Sequence, residues 1–353
     1  MALPYNCLRH LVRSQRNVKY ILQREKSLQP GYSLGTRVFC SWRWTKEAYR
    51  RNARGFRAKR QPDGEPVIVM PKESGVPSLV KPIIFTAGVC SCSFVGAMIW
   101  NYEKMRKVYT DMKSGTKEDT DKNYLQKRFG IRDHLNSTWN KLTSGKKMIV
   151  GIIAANVGVF LLWRVPSFRP TMTRYFSSSA HHPLPSMILS TFSHISVVHL
   201  CLNMYVLWSF ASVAVNFLGI EQFAAFYVSA GTVSSLASMV SSKLLRRPFS
   251  ASVGASGAIL ALLGAVCVTY PTAQLSIALV GNIFPHSFSA DTGMKSIIAF
   301  DTVGLALGWK FLDHAGHLGG MMFGLLYIKY GNKYIWGNRE TVMRWWQNIR
   351  GKP

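Results

Sequence analysis

Hydrophobic residues in this chain are gathered into long runs that polar and basic stretches separate. The first run, at 82–102, carries no charge and is long enough to cross the hydrocarbon core of a bilayer as a helix. After a polar stretch at 103–147, further runs extend from 148 to 330. We expect seven spans, one early and six close together. The pattern therefore predicts an all-α, polytopic membrane helix bundle.

The remaining segments are predicted from their composition. The stretch 103–147 is expected to be a connecting loop with a short amphipathic helix at the membrane interface. The stretch 274–291 is interrupted by polar residues and proline, which favours a loop dipping into the interface. The basic tail at 331–353 contains tryptophans, which prefer the membrane surface. The six later spans are predicted at 148–163, 186–218, 221–242, 256–270, 295–309 and 314–330.

Composition narrows the class of protein. The chain has 353 residues, of which 48% are hydrophobic, and a net charge of +27. Such basicity could indicate nucleic-acid binding. However, the sequence contains no recognisable nucleic-acid module, and basic loops between apolar runs are typical of a membrane protein. The six cysteines are scattered and form neither a disulfide framework nor a metal pattern. We therefore predict a lipid bilayer as partner, with no nucleic acid, metal or cofactor.

The amino-terminal stretch explains part of the charge. Residues 1–60 are rich in arginine and contain only two acidic residues, Glu25 and Glu47. On a helical wheel, leucine and valine gather on one side and arginine on another. This pattern is typical of a mitochondrial transit peptide, although a basic disordered tail would also fit it. We interpret 1–60 as targeting sequence and 61–81 as a flexible segment in the matrix.

Several polar residues interrupt the apolar runs. Ser256 stands at the start of one run, just after Gly254, and His317 lies near the start of the last. His199 and Asn203 are four residues apart, so they share one face of a helix. Polar side chains in hydrocarbon are costly unless they are paired, so they indicate a shared polar site. The alternatives are small-residue helix packing around Ser256 and interhelical hydrogen bonds without chemistry.

Two stripes of small residues favour a site with chemistry. His317, Gly320 and Gly324 fall on one stripe of the last helix. A matching stripe on the Ser256 helix contains Gly257, Ala261 and Gly264. Pressed together, these helices would bring an imidazole within reach of a hydroxyl, which is the minimal activated nucleophile.

An acid that orients the imidazole could complete such a site. Asp301 and Asp313 are the candidates, and the simpler role of Asp313 is to begin the last helix. We expect a dyad without an acid. His314 does not fit the spacing of the glycine stripe, so it is given no catalytic role.

Three motifs together give the chain a family resemblance. They are His199-x-x-x-Asn203, Gly254-x-Ser256-Gly257 and His317-x-x-Gly320-x-x-x-Gly324, each in its own apolar run. In these motifs and their order the chain resembles the rhomboid family of intramembrane serine proteases, over roughly 148–330. The early extra span and the transit-like leader are similar to the mitochondrial branch of that family.

The resemblance implies a function and a set of roles. Ser256 would be the nucleophile of a serine endopeptidase and His317 its general base. His199, Asn203 and the backbone N–H of Ser256 would form the oxyanion hole, and Gly254 would let the backbone turn tightly beside it. His194 would organise the first loop. In one departure, Leu260 stands where many bacterial members have a tyrosine stacked on the base.

The resemblance also implies a location and substrates. It places the protein in the mitochondrial inner membrane as a multi-pass protease, with its cavity opening toward the matrix if the amino terminus lies there. The implied substrates are single-span membrane proteins, including a dynamin-like fusion GTPase and a mitophagy kinase, with roles in mitochondrial morphology and quality control. Two other classes stay open: a proteolytically inactive member that binds membrane helices, and a carrier or channel.

Overall fold

The computed structural model describes residues 78–113, 131–247, 251–276 and 287–350, with only the backbone for 131–135. The predicted transit peptide at 1–60 and most of the predicted flexible segment lie outside these residues. The described helices are α1 (Val80–Lys113), α2 (Ile131–Lys141), α3 (Ser144–Leu162), α4 (Arg169–Tyr175), α5 (Ser186–Leu189), α6 (Val197–Leu218), α7 (Ile220–Leu244), α8 (Ser256–Thr269), α9 (Ala290–Leu307), α10 (His314–Leu326) and α11 (Arg339–Arg350).

The all-α polytopic bundle is confirmed. Within the described residues, four helices (α1, α3, α6 and α7) are long and apolar enough to cross a membrane. The three other predicted spans also contain a helix, but each departs from an ideal span. Helix α8 has 14 residues and α10 has 13, although a π-helical segment, Tyr327–Trp336, follows α10 directly. Helix α9 carries Asp291, Lys295 and Asp301 among its 18 residues.

Helix α1 is longer than the predicted early span and packs into the bundle. It begins at Val80 and continues to Lys113, so the start of the predicted loop at 103–147 is helical. Its Phe94 ring stacks on Tyr327 at 5.0 Å between centroids. Lys104 forms an ion pair with Glu221 of α7, with 2.8 Å between Nζ and Oε1. The early span is therefore part of the helix bundle.

The carboxy-terminal tail is helical as far as Arg350 and folds back onto α1. Trp346 of α11 donates its indole N–H to Glu103 at 2.7 Å, and Arg350 forms an ion pair with the same carboxylate. The tail was predicted to rest on the membrane surface, and the structure gives α11 a protein contact. A sequence pattern could not reveal it, because the partner is more than 200 residues away.

Helix α8 occupies the centre of the core. Ten of its residues are buried, and they come from all sides of the helix. Its sequence is apolar throughout, so no polar face directs it toward solvent. It contacts α6, α7, α9 and α10. The residue that begins α8, Ser256, is therefore held at the middle of the bundle.

The stretch predicted as an interfacial loop at 274–291 is partly ordered by backbone pairing. Strand β1 (Gln274–Leu275) pairs antiparallel with β2 (Phe288–Ser289). Ser289 then caps α9, because its side chain accepts the N–H of Thr292 at 3.1 Å. The residues between 276 and 287 lie outside the described part of the chain.

Candidate active site

Helices α8 and α10 touch through their backbones. A Cβ atom added at Gly320 would overlap the carbonyl oxygen of Gly257, and one at Gly324 would overlap that of Ala261. Only glycine allows this approach, and small-residue stripes serve the same purpose between membrane helices. The two stripes of small residues, on α8 and α10, therefore pack against each other as predicted.

This contact brings the predicted nucleophile and base together. The distance from His317 Nε2 to Ser256 Oγ is 2.9 Å, which is a hydrogen bond. Ser256 is the first residue of α8, and His317 lies in the first turn of α10, so both belong to the same end of their helices. Ser256 is partly exposed, whereas His317 is only 9% exposed. A hydroxyl in this position is reachable, and its proton acceptor is shielded.

An acid touches the far side of the imidazole. Asp301 of α9 is buried, and its Oδ1 lies 3.2 Å from His317 Nδ1. The same oxygen lies 2.6 Å from Nδ1 of His314. The expected dyad without an acid thus differs from the geometry, in which Ser256, His317 and Asp301 form one chain of hydrogen bonds.

Asp313 has the structural role that its position predicts. Its Oδ1 accepts the N–H of Gly316 at 2.9 Å, so the side chain caps α10. Its Oδ2 accepts the hydroxyl protons of Ser238 on α7 and of Ser252. Ser252 belongs to the short segment that leads into α8, so Asp313 fastens the starts of α8 and α10 to one another.

That segment is also fixed by its backbone. Ser252 and Ser178 exchange two backbone hydrogen bonds of 2.8 Å, and the N–H of Gly254 donates to the Ser190 carbonyl at 3.0 Å. Gly254 has a φ of +128°, which side chains disfavour strongly. Helix α8 begins at Ser256, directly after this turn. The first N–H groups of α8 have no intrahelical partners, as at any helix start.

Two histidines stand beside this turn. A Cβ at Gly254 would come within 2.8 Å of the His199 ring, so the absent side chain leaves room for that imidazole. His194 is buried, packs edge-on against His199 at 5.0 Å between centroids, and accepts the Ala255 N–H at 3.5 Å. His199 and Gly254 therefore lie together near Ser256. His194 contacts both the His199 ring and the backbone just before Ser256.

Asn203 lies one turn further along α6 than His199. Its side-chain N–H₂ donates to the His199 carbonyl at 2.9 Å. Asn203 as a whole is buried. An amide nitrogen carries two protons, so one N–H is left for another acceptor. Among the described residues, no group of three or more His, Cys, Asp or Glu side chains is arranged to hold a metal ion.

Comparisons with known proteins identify the family of this chain. The family model described as "Rhomboid domain" matches residues 182–333. The mitochondrial presenilin-associated rhomboid-like protein of Homo sapiens is 46% identical over 307 residues, which cover 86% of this chain and 78% of that protein. The chain belongs to the rhomboid family. Its likeness to other rhomboids extends to mitochondrial Rhomboid protein 1 of Saccharomyces cerevisiae, with 32% identity over 57% of this chain and 58% of that protein.

A bacterial rhomboid protease is also similar. Rhomboid protease GluP of Bacillus subtilis is 31% identical over 134 residues, which cover 37% of this chain and 23% of that protein. As a rhomboid, the present protein is an intramembrane serine protease and a multi-pass protein of a mitochondrial membrane. The predicted family and the multi-pass mitochondrial location are thereby confirmed, as is the reaction class of an intramembrane serine protease.

Sequence reasoning missed one part of this rhomboid site. The spacing of the glycine stripe predicts no catalytic role for His314, yet this residue is buried against Asp301. A signal was present: Asp301 is an acid inside an apolar helix, and such a group needs a partner. Two histidines begin the next helix, but the sequence does not indicate which of them the acid meets.

Proposed function

We propose that the protein hydrolyses peptide bonds in or near transmembrane helices of mitochondrial inner-membrane proteins, with Ser256 as nucleophile and His317 as general base. One observation carries the proposal: the 2.9 Å hydrogen bond between Ser256 Oγ and His317 Nε2, partly buried at one end of a membrane bundle. A serine hydroxyl is a weak nucleophile by itself. A base in hydrogen-bond contact removes its proton as the oxygen attacks.

The reaction runs in two halves. Ser256 Oγ attacks the carbonyl carbon of the scissile bond while its proton moves to His317 Nε2. The C–N bond then breaks, the same proton passes to the leaving amine, and an acyl ester is left on Ser256. Water repeats the sequence with His317 again as base, which releases the acid product and restores the hydroxyl.

The negative oxygen of the tetrahedral intermediate needs donors. We assign that role to the backbone N–H of Ser256 and to His199 and Asn203. Supporting this, Ser256 begins α8, where N–H groups lack intrahelical partners, and Gly254 leaves space for the His199 ring. Asn203 retains one N–H after donating to its own helix. A preorganised donor of this kind contributes about 3–4 kcal/mol to transition-state stabilisation.

Substrate selection follows from the bilayer. A carbonyl inside a helix is hydrogen-bonded, so the substrate helix must unwind locally before attack. Segments with glycine or proline are already weak helices and are the preferred sites. Helix α9, which precedes the turn at Lys310, is the side gate for their entry. Relatives of this chain are mitochondrial proteins. The family resemblance implies single-span inner-membrane substrates, with a dynamin-like fusion GTPase and a mitophagy kinase as candidates.

The test is cleavage of a defined substrate in liposomes. The substrate is a single-span reporter helix with a Gly-Pro step near one end. A fluorophore and a quencher are attached on opposite sides of that step, so cleavage increases the fluorescence. Wild type should cleave it, whereas Ser256→Ala and His317→Ala should each lose at least about 10³-fold in kcat. The matched control is Ser209→Ala, an exposed serine that bonds to its own helix, which should cleave like wild type. Cleavage that survives Ser256→Ala would contradict the mechanism.

A further inference from the structure

We propose that Asp301 is a positioning residue for the base, and that His314 holds the Asp301 carboxylate in place for this task. The inference rests on the proposed function, because it assigns an orienting group to His317. It also places part of the catalytic arrangement on α9, the helix proposed as the gate.

The hydrogen bonds define one tautomer of His317. A carboxylate accepts protons, so Asp301 Oδ1 at 3.2 Å takes the Nδ1–H of His317. The other ring nitrogen, Nε2, then carries the lone pair and faces Ser256 Oγ at 2.9 Å. This is the tautomer that a general base needs. Without the acceptor, the ring could carry its proton on Nε2 and could not receive another from the serine.

His314 is built to donate to the same carboxylate. Its Nδ1 lies 2.6 Å from Asp301 Oδ1, the shorter of the two contacts. The ring is enclosed by Phe300, Trp309 and Phe311, with centroids 5.4 to 5.9 Å away. Its buried Nε2 has no hydrogen-bond partner among the described residues. Nδ1 is thus the polar contact of a ring otherwise packed against aromatic side chains.

A glycine makes this arrangement possible. Gly304 lies one turn after Asp301 on α9, and a Cβ there would come within 2.5 to 2.7 Å of three atoms of the His314 ring. The imidazole therefore packs closely against α9 at Gly304. A carboxylate that is buried without donors would be costly, and two imidazole N–H groups offset that cost. One packing unit is thus formed by Asp301, Gly304 and His314. His317 donates to the same Asp301 oxygen as His314 does.

The unit couples the gate to the base. Ser256 and His317 lie on α8 and α10, which touch through their backbones, but Asp301 belongs to α9. The outer residues of α9 are exposed on the surface of the bundle, among them Val303 at 48% and Leu307 at 66%. A displacement of α9 would carry Asp301 away from His317 while Ser256 stays in place. Substrate entry and orientation of the base are thereby linked through one carboxylate.

The experiment measures kcat and KM separately for the liposome reporter. Asp301→Asn puts an amide donor where the acceptor was, which favours the wrong tautomer of His317. We expect kcat to fall at least about 10-fold and KM to change less than about twofold; the orienting acid of a serine protease triad is worth roughly 10⁴-fold. The control Asp291→Asn removes a partly exposed acid, paired with Lys295, from the same helix, and it should keep wild-type kcat.

A second pair of variants keeps the test decisive if Asp301→Asn folds poorly. Asparagine at 314 places its amide nitrogen near the position of Nδ1, whereas alanine has no donor. His314→Ala should lower kcat about fivefold to tenfold, and His314→Asn should recover most of it, at equal thermal stability. A purely packing role would predict no recovery by the small polar asparagine.

Two results would overturn the inference. One is an Asp301→Asn protein with kcat within twofold of wild type. The other, decisive where Asp301→Asn does not fold, is equal kcat for wild type, His314→Ala and His314→Asn. Ser256→Ala is measured in parallel. If it alone is inactive, only the role of Asp301 has failed; if it cleaves like wild type, the proposed function itself has failed.

Discussion

Helix α10 meets two neighbours in opposite ways. Toward α8 it presents Gly320 and Gly324, and the two backbones touch without any intervening side chain. Toward α9 it presents His314 and His317, and the contact depends on the buried carboxylate of Asp301. The first interface is a broad van der Waals contact. The second combines packing of the His314 ring against Phe300 and Gly304 of α9 with two hydrogen bonds that share one acceptor oxygen.

The difference teaches how a site can be both fixed and accessible. Close backbone packing has few alternative arrangements, so it holds Ser256 and His317 at 2.9 Å with little freedom. A hydrogen bond between helices can break and re-form without repacking the core, provided that the freed groups find other partners such as water. We infer that the nucleophile and base stay together while α9 moves to admit a substrate.

The largest effect on the site is expected from a variant that separates α8 from α10. In Gly320→Leu the new side chain would overlap the Gly257 carbonyl, so the helices must move apart by about an ångström or more. A misplacement of that size costs about 100-fold in rate, and we expect kcat to fall by at least that factor. Overpacking should also lower the free energy of unfolding by about 1–3 kcal/mol. Reporter cleavage and thermal unfolding in detergent measure both.

The control for this variant is Gly158→Leu. Nothing lies within 4 Å of a Cβ at Gly158 of α3, so the larger side chain meets open space. It should retain wild-type kcat. If Gly320→Leu also kept kcat within twofold of wild type, the backbone contact would not be what fixes the distance between the hydroxyl and the imidazole.

A weaker perturbation addresses the α9 side. Gly304→Ala would push the His314 ring off the α9 backbone and loosen its hold on Asp301. We expect kcat to fall about fivefold with KM nearly unchanged. Alanine is the better helix former by about 1 kcal/mol, so stability should change little. The control Gly151→Ala, in open space on α3, should cleave normally. Equal kcat in the two variants would show that the His314 contact does not reach the base.

The sequence predicts the α8–α10 interface because its signal is local. Gly257 and Ala261 are one helical turn apart, as are Gly320 and Gly324, and each stripe can be read within a single helix. The α9 contact is different in kind. Asp301 lies 13 residues from His314 and 16 from His317, across a turn whose direction decides which ring it meets.

The docking of the two ends of the chain is harder still to predict. Glu103 of α1 receives Trp346, and their separation of 243 residues leaves no local pattern to read. Amphipathic character in α11 is compatible with a lipid surface and with a protein partner alike. Only the tertiary arrangement chooses between them. Helix positions and the paired stripes follow from periodicity, whereas the shared carboxylate and the docked tail do not.

The smallest expected effect concerns a hydrogen bond on the rigid side. Ser234 of α7 donates to the Gly316 carbonyl at 2.8 Å and lies against Gly257, where α7, α8 and α10 meet. If backbone packing fixes this junction, Ser234→Ala should cost only about 0.6 kcal/mol of stability, the average for interhelical hydrogen bonds in membranes, and kcat should change less than about twofold. Thermal unfolding and reporter cleavage measure both, with Ser209→Ala as the control. A 10-fold loss of kcat would mean that the α8–α10 interface depends on polar contacts as the α9 side does, and the contrast between the two faces of α10 would be lost.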